Sequence, residues 1–163
     1  LLQAGYNPNS TTFGAMLGFG KNKNGFYVGF RSDFGSAGSD LECKENGTIG
    51  DGSIPPFYKE EVTHQSRMSV TAGYFRRLNK TIYLYAEAGS GSRTLSYELD
   101  ERAEDESGKS LEGIQVKDPS KSPTGVAFEL GGILRFNKFL ISAGYHTVNA
   151  KYHEVSAGIG MIF

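Results

Sequence analysis

Apolar and polar positions alternate with a period of two along most of the chain. In residues 11–20, Phe13, Ala15, Leu17 and Phe19 share one face, and Gly14, Met16, Gly18 and Gly20 share the other. Residues 25–34 set Phe26, Val28, Phe30 and Phe34 against Tyr27, Gly29, Arg31 and Asp33. The same alternation marks 1–6, 63–77, 81–97, 124–136, 139–149 and 153–163. No run carries apolar residues at the i, i+3, i+4, i+7 spacing of an amphipathic helix over three turns. The pattern therefore predicts an all-β chain of eight strands. Residues 1–6 are short for a strand, so the chain is expected to begin partway along the first one.

The connections are of two kinds. Short turns are expected at 21–24, 78–80 and 137–138, and long polar loops at 34–62 and 98–123. The brief links 7–10 and 150–152 fall on the same side as the long loops. Short turns at one end and long loops at the other are the layout of an antiparallel up-and-down transmembrane barrel. A single domain over 1–163 is expected.

The distribution of charge and glycine decides between a soluble and a membrane barrel. One face of each strand carries Phe, Val, Leu, Ile and Ala. The other carries Arg31, Asp33, Arg67, Arg77, Glu87, Arg93, Glu129 and Arg135 with Ser and Tyr. Of 22 glycines, twelve share this charged face, among them Gly5, Gly29, Gly73, Gly131, Gly144 and Gly158. Glycine weakens a strand and covers nothing, so it suits a crowded interior better than a solvent face. The interior of an eight-stranded barrel is just wide enough for its side chains. The charged, glycine-rich face is thus expected to line a polar, side-chain-filled lumen, with the apolar face toward lipid. A soluble, lipocalin-like ligand-binding barrel is the alternative, with the two faces exchanged. Aromatics near strand ends, such as Tyr6, Phe26, Phe136, Phe139, Tyr145 and Phe163, fit interfacial girdles.

Strand parity places Arg31, Glu87 and Glu129 at similar mid-height depths. Charges at that depth need partners, so an Arg31–Glu87–Glu129 cluster is expected. Tyr27, Tyr83, Tyr85, Arg135 and His146 are its expected polar neighbours.

Composition narrows the function. A net charge of −1 argues against nucleic-acid binding through phosphate contacts. The single cysteine, Cys43, excludes an internal disulfide and a Cys-rich metal site, and is expected to be a free thiol or an intermolecular link. No apolar stretch approaches the ~18 residues of a spanning helix. The start lacks a basic and apolar leader, so a signal peptide is expected to be absent or removed. Acidic residues concentrate in the long loops, each with a net charge of −4, whereas Lys21, Lys23, Arg76, Arg77, Lys80, Arg135 and Lys138 mark the short-turn end. The loops read either as solvated segments or as a surface for cations or a basic partner. Their carboxylates lack EF-hand spacing, so no metal and no cofactor are expected.

The last strand ends Ser156-Ala157-Gly158-Ile159-Gly160-Met161-Ile162-Phe163. It resembles the C-terminal assembly signal of bacterial outer-membrane β-barrel proteins, carried here by Ser156, Gly158, Met161 and Phe163. Met161 stands where an aromatic is commoner. With the alternating strands before it, the chain resembles the small porin-like outer-membrane barrels of the OmpA and OmpX type. The resemblance implies insertion by the barrel assembly machinery and residence among outer-membrane lipid of a Gram-negative cell. It also implies extracellular long loops and periplasmic short turns. Some barrels of this size modify lipid A, and a deacylase needs a serine, a histidine and an acid near the lipid-facing rim. Here His146 and Ser142 share the inward face, and His64 and His153 fall at loop boundaries, so a non-enzymatic role is expected. Structural anchoring, surface recognition and membership of a larger outer-membrane complex with a protein partner remain open.

Overall fold

Three tight hairpins organise the short-turn end. In the computed structural model, which describes residues 1–7, 10–35, 37, 41–42, 58–100, 108 and 110–163, ten strands occur. They are β1 (Leu2–Asn7), β2 (Ser10–Lys21), β3 (Asn24–Ser32), β4 (Leu41–Glu42), β5 (Tyr58–Arg77), β6 (Ile82–Leu99), β7 (Gln115–Lys117), β8 (Thr124–Phe136), β9 (Phe139–Val148) and β10 (Tyr152–Met161). The β2–β3 and β8–β9 hairpins close on the pairs Lys21–Asn24 and Phe136–Phe139. Each puts asparagine first in its two-residue turn, at φ 62° for Asn22 and 57° for Asn137. Asparagine tolerates that left-handed backbone better than any other residue with a Cβ. Between β5 and β6 the Asn79 side chain accepts from the backbone N–H groups of Thr81 and Ile82, both at 2.8 Å.

The chain divides into two compact units. The first comprises Leu1–Phe34, Arg67–Ser92 and Thr124–Phe163. It holds a closed eight-stranded antiparallel barrel in the order β6-β5-β3-β2-β1-β10-β9-β8, sealed by the β6–β8 pairing. That pairing runs from Ile82–Leu134 to Ser92–Thr124. The shortest barrel strand, β1, is held on both sides, by β2 and by the Val155–Ile159 stretch of β10. No barrel strand is left with an open edge, as a hydrocarbon environment demands.

Burial in this unit is inverted relative to a water-soluble protein. Leu17, Phe19, Val126 and Ile159 are 75%, 78%, 63% and 68% exposed. On the opposite face, Arg31, Glu129, Glu154 and Ser142 are buried at 5%, 0%, 3% and 2% exposure. An apolar exterior around a polar interior is a lipid-facing surface.

The second unit, Gly35–Ser66 and Arg93–Pro123, departs from the expected plain loops. Strand β5 starts at Tyr58 rather than near 63, and β6 continues to Leu99. β7 pairs antiparallel with Ser96–Glu98 of β6 and parallel with β4. Leu99 and Val116 are fully buried there, and the Leu99 amide donates to Ile114 at 3.0 Å. A 3-10 turn follows at Pro119–Lys121. β4 and β7 have two and three residues, too few to show a period of two against a polar background. Lys121 Nζ donates to the Tyr97 hydroxyl at 2.7 Å, and that bond raises the lysine above its ordinary pKa. Cys43 and the acidic stretch 101–107 lie outside the described residues.

Candidate functional site

The mid-lumen is filled by a charged network centred on Arg31 of β3. Its guanidinium donates to Glu129 Oε2 at 2.5 Å, to Gln3 Oε1 at 3.1 Å and to Glu154 Oε1. Glu129, on β8, also accepts from the Tyr85 hydroxyl at 2.6 Å and from Ser156 at 2.8 Å. His146 Nδ1 lies 3.4 Å from Glu129 Oε2, its neighbour across the β8–β9 ladder. Glu154 accepts further from Thr12 at 2.9 Å, Tyr152 at 3.0 Å and Arg67 at 3.1 Å. Arg67 stacks 4.6 Å over the Tyr152 ring and pairs with Asp33 at 3.3 Å. Two arginines thus join three carboxylates, contributed by β8, β10 and the residue that follows β3. Multiple charge-assisted bonds are what make buried charges tolerable.

Close packing needs glycine at particular places. A Cβ at Gly144 would fall on the Tyr85 hydroxyl, on Glu129 Oε1 and within 2.9 Å of Ser156 Oγ. The space left beside Arg31, Arg67, His146 and Glu154 is about 10 Å³, room for one water at most.

The expected cluster is therefore assembled in part. Arg31 and Glu129 meet, with Tyr85 and His146 beside them. Glu87 faces Glu129 across the β6–β8 ladder but does not bond Arg31. Its Oε2, like the Tyr27 hydroxyl, is buried without a hydrogen-bond partner among the described residues. Tyr27 takes part through its ring, 6.1 Å from Tyr85 and 6.5 Å from Phe75. Tyr83 and Arg135 sit apart, toward the short turns, where Arg135 donates to the Tyr83 hydroxyl at 3.2 Å and to Asn137 O at 2.8 Å. No hydrogen bond joins Ser142 to His146 among the described residues. His64 pairs with Glu98 at 3.2 Å in the second unit. His153 stacks on Tyr145 at the barrel's outer face.

Glu154 is the residue sequence reasoning missed. It stands two positions before Ser156, so parity already puts it inward. Its position at a strand edge hides the fact that Arg31 reaches it. Ser156 and Gly158 face the lumen, while Met161 and Phe163 are exposed on the outer side.

Toward the short turns the lumen changes character. Met16, Tyr27, Tyr85 and Ile133 form an apolar cluster there, with Phe75, Tyr83 and Leu140 packed against it. The barrel is not filled at this end: a cavity of about 490 Å³ opens between these side chains, with Arg77 and Arg135 also in its wall. Uniform filling was expected from barrel width. Gly18 and Gly20, both in the cavity lining, put no side chain into this space.

No family model matches the chain, and no curated protein matches it. Solved structures do. Ail, the attachment invasion locus protein of Yersinia pestis, superposes in its complex with the heparin analogue sucrose octasulfate. The TM-score is 0.54 at 16% identity, over 97% of this chain and 88% of Ail. A second Ail crystal structure gives 0.51 at 16% identity, with the same coverage of both chains. The chain has the fold of an eight-stranded outer-membrane β-barrel. Neisserial surface protein A superposes more loosely, at a TM-score of 0.45 and 15% identity over 99% of this chain and 92% of its own. Among the described residues, Arg31, Arg67, Glu129 and Glu154 are all buried in the middle of the lumen, and only about 10 Å³ is left open beside them.

Proposed function

We propose that the protein is a non-enzymatic outer-membrane barrel that recognises a partner through its long acidic loops. The observation that carries this reading is the inverted barrel itself: an apolar exterior around a lumen blocked by paired charges. Above that blocked layer, the loops are what can engage a macromolecular partner. In this reading the loops are extracellular and the short turns periplasmic. Insertion depends on the barrel assembly machinery reading Ser156, Gly158, Met161 and Phe163. The partner is a protein or surface in the same membrane or beyond it.

The sign of the loop charge sets the partner's chemistry. Ail has been crystallised with a heparin analogue, a polyanion. Here 34–62 and 98–123 each carry a net charge of −4, which repels polyanions and favours cationic surfaces. The test is binding of the vesicle-inserted protein to immobilised poly-lysine and to immobilised heparin at physiological salt. Preference for poly-lysine, lost when the loop carboxylates are neutralised, supports the reading. Preference for heparin, or no difference between the two, removes it.

A further inference from the structure

The cavity at the short-turn end has no role in recognition by loops. Its floor is Met16, Tyr27 and Ile133, all buried, and its walls include Phe75, Tyr83 and Leu140. An apolar chamber facing water is costly, at ~25 cal/mol for each Å² left wet. At about 490 Å³ it falls within the ~300–1,000 Å³ range of small-molecule sites.

Side-chain charge at its mouth is of one sign. Arg77 and Arg135 stand in the cavity wall, and the adjoining turns add Lys21, Lys23, Arg76, Lys80 and Lys138. No side-chain carboxylate occurs between Leu1 and Ser32, between Met68 and Ala86 or between Leu130 and His153. Arg135 spends two of its donors on Asn137 and Tyr83. The Arg77 side chain makes no ion pair or hydrogen bond among the described residues.

We infer that this chamber binds a single-chain amphiphile with a carboxylate head, its tail against Met16, Tyr27 and Ile133 and its head between Arg77 and Arg135. The tail replaces water on the apolar walls. The head supplies an anion where the barrel wall offers no side-chain carboxylate, and planar guanidinium groups suit carboxylate geometry. The mid-lumen charge layer stops the tail, so the ligand enters and leaves by the short-turn mouth.

Two of the three methionines allow a direct test. Met16 lies in the chamber floor, whereas Met68 is 53% exposed on the outer face. The full chain, methyl-labelled at methionine and held in phosphatidylcholine nanodiscs, is titrated with laurate. The Met16 methyl resonance should shift saturably while that of Met68 stays in place. Dodecyltrimethylammonium, with the same tail and the opposite charge, should leave Met16 unmoved. Arg77→Gln with Arg135→Gln should weaken laurate binding about tenfold or more. An unmoved Met16 would overturn the assignment, as would equal shifts with the cationic amphiphile. If the double variant fails to fold, the comparison of the two amphiphiles still decides.

Discussion

Arg31→Met is the substitution that tests the lumen most directly. Methionine keeps much of the volume and removes the charge. Arg31 donates to Glu129, Glu154 and Gln3, and both carboxylates are buried. Breaking a buried ion pair from one side costs ~3–5 kcal/mol, because the partner is left uncompensated. The two acids are not stripped bare here. Glu154 keeps Arg67, Thr12 and Tyr152, and Glu129 keeps Tyr85 and Ser156. We therefore expect a loss near the lower bound, about 3 kcal/mol. With a urea slope of ~1–3 kcal/mol per molar, the unfolding midpoint falls by ~1–3 M. The protein has no tryptophan, so unfolding in phosphatidylcholine vesicles is best followed by far-UV circular dichroism and by heat-modifiable migration on gels. Arg76→Met, at an exposed position, is the control and should stay within ~0.5 kcal/mol of the parent. Adding Glu129→Gln to Arg31→Met should recover part of the loss, since neutralising both partners removes the buried unpaired charge. Equal effects of Arg31→Met and Arg76→Met, or strict additivity in the double variant, would refute the buried-network account.

Further expectations concern packing, assembly, topology and the second unit. Gly144→Ala should lower the unfolding free energy by ~1–3 kcal/mol, because its Cβ meets Tyr85, Glu129 and Ser156; a neutral result would mean the network yields freely. Deleting Phe163 should reduce the outer-membrane yield of folded barrel, measured by the heat-modifiable band in membrane fractions, and an unchanged yield would leave the residue no part in assembly. Cys43 should react with a membrane-impermeant maleimide on intact cells, whereas a cysteine placed at Lys23 should react only after the outer membrane is breached; the reverse pattern would invert the proposed orientation. Lys121, held protonated by Tyr97, should be acetylated more slowly at pH 9 than the exposed Lys138, and Tyr97→Phe should remove the difference.

The barrel was legible in the residue pattern. A period of two survives in any strand with unlike faces, and it needs no knowledge of neighbours. From it came the strand count, the inward direction of Arg31, Glu87, Glu129 and His146, and the outward direction of Leu17, Phe19 and Ile159. The inversion of charge and glycine then separated lipid from water. Which inward groups meet depends on the packing of one strand against another. Depth counted along single strands brought Arg31 to Glu87, but the stagger of neighbouring strands brings it to Glu154 instead, and pairs Glu154 with Arg67. The structured stretch around Leu99 and Val116 was hidden as well, because β7 offers only three residues and is held by a partner strand rather than by its own pattern. The apolar chamber belongs to the same class. Met16, Tyr27, Phe75, Tyr83, Ile133 and Leu140 point inward by parity, but an unfilled volume depends on how side chains from many strands pack together, which no single-strand pattern records.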